Sequence, residues 1–482
     1  MVKSVIGEEK QLKAAEDRLS QSSVHSEVGL VIGKLSRSLD RGFVYHLIPS
    51  PPNESGEQAC SIIEGESKKR GSSKSNSLCI DKDWIAEHAR QVSTMLVGGV
   101  KVVGIYIWAN QNAFQNSTLS LCQTVKGVAE AATFSETFDH RLLIHVSYSP
   151  RRWTCWNCSL GSNITSGSLR PCDFKMGRVL TALQTFRCTY GIDLRFPICR
   201  EAGSNIKKLS DILSIGISSH AKELKGSKVL IDGNLVIDDE QSLSNNIHDV
   251  EILLPFMQDR FAEACSDKEV VGVLTLSGAI SSFAYLNQKE VISQAVADIK
   301  DDIIRSLQSR LDILSDEAER EADIGTEDGG DHQTTNEKPV PQLLLQLERK
   351  NCSLLFPRRV FVPWLGGINI CDYIQPSETI EVIKYHCIEL MSMQTPPDSS
   401  TISEPEIEAL TLRSSNGSTF WDIAIPGSSA SINMKSDSRN NKSAGNTAAN
   451  KKATKSLDIS MIIAALVLFI SILLGLFLFV FQ

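Results

Sequence analysis

The chain has 482 residues, of which 42% are hydrophobic and 22% charged, and its formal net charge is −8. That length allows two or three domains with cores of their own, and the acidic balance excludes a general nucleic-acid binder, which needs a basic footprint. The twelve cysteines are scattered among strand-like and helical segments. They read as buried thiols of a reducing compartment.

The N-terminus is charged and amphipathic and lacks the apolar core of a signal peptide. Residues 28–35 and 43–48 are apolar, β-branched runs around a polar turn, which predicts a hairpin ended by Pro49, Pro51 and Pro52. Residues 53–77 are polar and rich in Gly and Ser and read as a disordered loop. A helix follows, capped by Asp81 or Asp83, with Trp84, Ile85, Ala89, Val92, Met95 and Leu96 at helical spacing and Gly98-Gly99 as its stop. Residues 100–107 suit a buried strand, 117–131 a helix, and 142–149 and 185–197 strands. Together these make a first domain, 1–200.

A second α+β domain is expected over 206–393. Asp232-Gly233 sits between two apolar pairs and predicts a tight hairpin. Residues 270–276 and 281–286 suggest another. Within 287–314, Ile292, Val296, Ile299, Ile303, Leu307, Leu311 and Leu314 line one helical face, which reads as packing on the domain's own sheet in preference to an exposed coiled coil. An acidic loop, 316–338, strands at 360–363 and 368–373, and a helix over 377–393 capped by Ser377 complete the domain.

From 394 to 458 the chain is rich in Ser, Asn, Thr and Lys and reads as a flexible basic linker, with a root-mean-square span of about 45 Å. One apolar island, around Phe420 and Trp421, is either a docking motif or a sticky stretch of linker. Residues 459–481 then run uncharged through Ile459, Leu466, Phe469, Leu474 and Phe481. As a helix they cover roughly 34 Å, enough to span a bilayer. Lys451, Lys452 and Lys455 stand on the N-terminal flank. The positive-inside rule then predicts a tail-anchored, single-pass protein with the bulk of its chain in the cytosol.

Chemical motifs are sparse. Cys155-Trp156-Asn157-Cys158 has CxxC spacing, but Cys172, Cys188 and Cys199 make no second close pair, so structural thiols are favoured over a zinc site. There is no GxSxG, Walker loop or HExxH, and no GxGxxG after a strand. No cofactor is expected. His88 lies beside an apolar helix face and reads as a core or boundary histidine. A Cys–His hydrolase stays open as an alternative, since such sites assemble in space.

The order EVGLVIGKLS, FVYHLIPSPP, helix, VVGIYIW is similar to the start of an MPN domain, the fold of metal-dependent deubiquitinases. Gly104 and Tyr106 match that family's core strand. Its two zinc-binding histidine positions fall on Ile107 and Ala109, its serine on Ser117 and its aspartate on Ser120. Glu27 stands near the position of the water-activating acid, offset by one. The resemblance implies a catalytically dead scaffold, because zinc needs the histidines and the aspartate.

A broader resemblance covers most of the body. DKDWIAEHARQVSTMLVGGVKVVGIYI (81–107), RPCDFK (170–175), residues 278–314, and RRVFVPWLGGINICDYIQPSETIEVI (358–383) resemble the odorant-response-abnormal family of receptor-trafficking proteins. That resemblance implies a protein of the endoplasmic-reticulum membrane, and the dead MPN-like site adds the expectation of an adaptor with no enzymatic activity. The broader resemblance also implies clients among G-protein-coupled receptors, and a cysteine protease specific for the ubiquitin-fold modifier as partner. The alternatives are the hydrolase above and a vesicle tether binding through helix 287–314.

Overall fold

The computed structural model describes residues 2–64, 76–132, 140–161, 164–200, 209–236, 246–254, 269–327 and 353–416. The charged N-terminal stretch forms a strand, β1 (Ser4–Glu8), running directly into a helix, α1 (Glu9–Gln21). The expected hairpin follows as β2 (Glu27–Ser36) and β3 (Arg41–Pro49). The loop expected over 53–77 contains a second hairpin: β4 (Cys60–Glu64) pairs antiparallel with β5 (Asn76–Ile80). Residues 65–75 lie outside the described residues.

Helix α2 (Lys82–Met95) is capped by Asp81, whose carboxylate accepts from the Trp84 N–H at 3.0 Å. Then come β6 (Lys101–Trp108), α3 (Gln111–Asn116), α4 (Thr118–Ala131), β7 (His140–Tyr148), β8 (Arg151–Ser159) and β9 (Leu169–Gly177). Seven strands close into a barrel in the order β1-β3-β2-β6-β7-β8-β9. Helix α1 packs Leu12, Ala15 and Leu19 against one side of these strands, among Val5, Val31, Val44, Tyr106 and Ile144. The other side packs against α2 and α4. Gly104 leaves room for β7 beside β6: a Cβ there would lie 1.8 Å from the Leu142 carbonyl oxygen.

The second sheet draws on β10 (Leu183–Arg200), β11 (Lys228–Ile231), β12 (Asn234–Leu235), β13 (Ile247–Leu253) and β14 (Glu269–Asn287). Helix α5 (Leu209–Gly226) lies between β10 and β11 in sequence. Asp232 and Gly233 form the expected turn, with φ of 50° and 80°, values a two-residue hairpin requires. The hairpin expected at 270–286 does not occur. Those residues belong to one unbroken strand, because β10 pairs along its whole length and holds it extended.

The long helix α6 (Ile292–Glu327) runs further than expected, so the acidic stretch read as a loop from 316 is helical as far as 327. The rest, 328–338, lies outside the described residues. Its apolar stripe is buried against β14 and α5, with Ile292, Ile299, Ile303, Leu307 and Leu314 in the second core. That face is not free to act as a tether.

The chain ends its described part with β15 (Ser353–Leu355), β16 (Arg358–Leu365), β17 (Ile368–Ile374), α7 (Ile380–Glu389) and β18 (Thr411–Asn416). Thr379, and not Ser377, occupies the N-cap of α7. The flexible linker read from 394 begins too early. Ser403 exchanges backbone hydrogen bonds with Phe361, and β18 pairs with both β14 and β15. No helix of the described residues is long and apolar enough to cross a membrane, and 459–481 lies outside them.

Three buried ion pairs centre on α6. Lys34 of β2 donates to Asp298 at 2.6 Å and to the Tyr285 carbonyl at 3.1 Å, with Glu290 at 3.8 Å. Arg359 of β16 grips Asp302 with two bonds of 2.8 Å. Arg310 pairs with Glu406, which also accepts from the Arg359 and Ser281 backbone amides. Residues 360–391 complete the first core alongside Ile85, Val92 and Val97. Helix α6 is therefore the post to which barrel, sheet and C-terminal segment are pinned.

Candidate functional site

Strand β6 delivers Ile107 and Ala109 to the α2/α4 side of the barrel, both with no exposed surface. Their neighbour on β2 is set by register: Val28 faces Ile107, and Glu27 faces Trp108. Cross-strand partners share a face, so Glu27 goes with Trp108 and Tyr106 to the α1 side. There Arg18 clamps it with bonds of 2.8 and 2.6 Å, and the Tyr106 hydroxyl donates at 2.5 Å. The hydrogen bonds it donates to Glu27 hold the pKa of the Arg18 guanidinium above its ordinary value, and burial pushes that of the Tyr106 phenol up. The offset of one residue in the sequence thus puts the acid on the opposite side of the sheet from Ile107 and Ala109.

The serine positions do framework duty. Ser117 is buried at the start of α4, and its hydroxyl accepts from the Leu78 N–H at 2.7 Å. Ser26 reaches the Cys60 carbonyl at 3.4 Å. The β4–β5 hairpin is thereby held from both flanks. Ser120, half-buried, gives its carbonyl to the Thr124 hydroxyl at 3.0 Å.

One imidazole does lie here, and the sequence reading missed it. His145 of β7 stands opposite Ile107, hydrogen-bonds the Ala109 carbonyl through Nε2 at 3.0 Å, and stacks on Phe114 at 4.1 Å. Burial pushes its pKa down, so the ring is neutral and Nε2–H is the donor. Its signal in the sequence was a histidine at an inward position of an apolar run. Among the described residues no group of three His, Cys, Asp or Glu side chains could hold a metal ion. His88 is a satisfied core histidine, bonded to the Leu390 carbonyl at 2.9 Å and facing Ser50 at 3.3 Å.

These histidines give the fold an acid limit. Burial lowers the pKa of His88 and His145, and takes His46 down to about 4. Below pH 6.5 the unfolded chain binds protons that the folded chain refuses, so stability falls with pH, by up to about 1.4 kcal/mol per pH unit for each histidine. The loss continues until the folded-state values are reached, about pH 4 for His46. Urea midpoints measured from pH 7.5 to 4.5 should decline over this window, and His46→Gln should flatten the decline.

The CxxC motif is split. On β8, Cys155 packs into the α1-side core and Cys158 into the α2/α4-side core. Residues three apart on a strand face opposite ways, so the two thiols cannot hold one ion together. Cys155 stands in register with Cys172 of β9, and Cys158 shares its core with Cys122. The candidate docking residues Phe420 and Trp421, the basic flank Lys451, Lys452 and Lys455, and the apolar run 459–481 lie outside the described residues.

Comparisons with known proteins agree with the broader resemblance. A human protein named as an odr-4 homologue is 25% identical over 421 residues, covering 82% of this chain and 84% of its own. The mouse protein of that name is 25% identical over 399 residues, covering 78% and 80%. A Dictyostelium discoideum homologue is 25% identical over 406 residues, covering 83% and 80%. The crystal structure of UfSP from C. elegans aligns with 81% of this chain and 57% of that one, at 7% identity and a TM-score of 0.37. A superposition that loose carries no argument. The model of the ODR4-like family, odorant response abnormal 4-like, matches residues 29–402, most of the chain, and the protein is a member of that family.

Proposed function

We propose that this protein is a tail-anchored adaptor of the endoplasmic-reticulum membrane. Its body, an MPN-like scaffold joined to a second α+β layer, binds without cutting. It assists folding or trafficking of a subset of G-protein-coupled receptors, and it brings a cysteine protease specific for the ubiquitin-fold modifier to the membrane. The observation that carries the reading is the content of the degenerate site. Ile107 and Ala109 are packed into an apolar core, Ser120 is in a helix turn, and Glu27 is committed to Arg18 on the other face. Zinc-activated water requires ligands that these side chains cannot supply. Family membership and the uncharged run 459–481 support the rest.

The test is co-expression with that protease. The full chain should carry it into the membrane fraction, and deletion of 459–482 should leave both proteins soluble. Two lysines placed near Phe469 should act like the deletion, since each costs about 2.5–3.5 kcal/mol at the centre of a membrane helix. A protease that stays soluble beside the membrane-bound full chain would overturn the recruitment. Hydrolysis of modifier conjugates by the purified chain alone would overturn the adaptor.

A further inference from the structure

Four thiols lie on or against β8, and the adaptor reading uses none of them. Cys158 and Cys122 have no exposed surface. Cys155 is 3% exposed and stands in register with Cys172 of β9. Cys172 alone of the four is partly open to solvent. Facing residues of an antiparallel pair hold their Cα atoms about 4.5–5.5 Å apart, inside the roughly 4.4–6.8 Å that a disulfide spans. The two side chains also point the same way, into the α1-side core with Trp153 and Phe174.

We infer that Cys172 and Cys155 form a peroxide-sensitive pair, Cys172 as the site of attack and Cys155 as the resolving thiol. Exposure sets the order of events: Cys172 is partly open to solvent and Cys155 is 3% exposed, so peroxide meets Cys172 first. The Cys172 thiolate attacks one oxygen of hydrogen peroxide. The O–O bond breaks, the sulfur is oxidised to sulfenic acid, and the departing hydroxide takes up the thiol's proton as water. The Cys155 thiol then attacks that sulfur, the S–O bond breaks, an S–S bond forms, and a second water leaves. Two thiols and one peroxide give one disulfide and two waters. The bond would staple β8 to β9, the strand that β1 closes upon.

The experiment treats the full chain in detergent with hydrogen peroxide, caps remaining thiols with an alkylating reagent, and maps the peptides by mass spectrometry. The expected result is a loss of about 2 Da located to a Cys155–Cys172 link and reversed by dithiothreitol, with Cys122 and Cys158 still alkylated after unfolding. In Cys155→Ser the sulfenic acid should persist on Cys172 and be trapped by dimedone. In Cys172→Ser peroxide should leave Cys155 unchanged. The wild-type peptide map stands on its own should either variant misfold. Linkage of Cys122 to Cys158 at an equal or faster rate, or Cys172 left free at peroxide levels that oxidise a control dithiol, would overturn the inference.

Discussion

Glu406→Ala is expected to destabilise the protein by about 3–5 kcal/mol, the cost of stranding a buried charge. Arg310 has no exposed surface and its guanidinium is aimed at Glu406. The substitution would also strip the acceptor from two backbone amides, those of Arg359 and Ser281. Glu406→Gln keeps an acceptor oxygen and should cost less. Replacing Arg310 by Met together with Glu406 by Leu should cost less again, since no charge is left behind. Urea unfolding of the detergent-solubilised chain reads all three. A loss under 1 kcal/mol for Glu406→Ala would show that 394–416 is the loose linker its composition suggests. The same geometry dictates where a soluble fragment should stop: one ending at 395 lacks both Glu406 and β18, one ending at 416 keeps them.

Lys34→Met should be comparably damaging, by about 3–5 kcal/mol. Lys34 is buried with two carboxylates, Asp298 and Glu290, and the substitution leaves both without their cation. The effect should be cooperative across the molecule, because Lys34 belongs to the barrel and its partners to the other layer. Near-ultraviolet circular dichroism and hydrogen exchange should report loosening in β2 and in the first turns of α6 together. Lys34→Met combined with Asp298→Leu should recover part of the loss. Equal damage in single and double variants would mean that the site tolerates no apolar filling, and the ion-pair account would fail.

Elements fixed by local chemistry were legible in the sequence. The hairpin at 28–48, the Asp81 cap and the Asp232-Gly233 turn each rest on residues within a few positions of one another. What escaped rests on distant partners. β1 is five residues long and pairs in parallel with β3 and β9, so Ser4 meets Arg41 on one side and Asp173 on the other. Nothing in SVIGE announces that. The polar stretch after 394 looked like linker because one buried glutamate cannot be told from several exposed ones without knowing where Arg310 is. The candidate site divided in the same way. That Ile107 and Ala109 cannot bind metal is plain from their side chains, but the face on which Glu27 lies, and the splitting of Cys155 from Cys158, follow from strand alternation and register. That His145 meets Ile107 and the Ala109 carbonyl follows only from the pairing of β7 with β6.

The pinning of the barrel to α6 sets a timetable for the newborn chain. Lys34 and Asp298 are 264 residues apart. At roughly 5–20 residues per second of synthesis, the lysine waits on the order of 15–50 s for its carboxylate. For that interval, and for somewhat longer until 360–391 arrive, the α2/α4-side core is short of covering residues such as Phe361 and Ile370. Contacts of such long sequence separation close late and slowly. The growing chain should therefore be a prolonged client of general chaperones, and slowing its translation should lengthen that association.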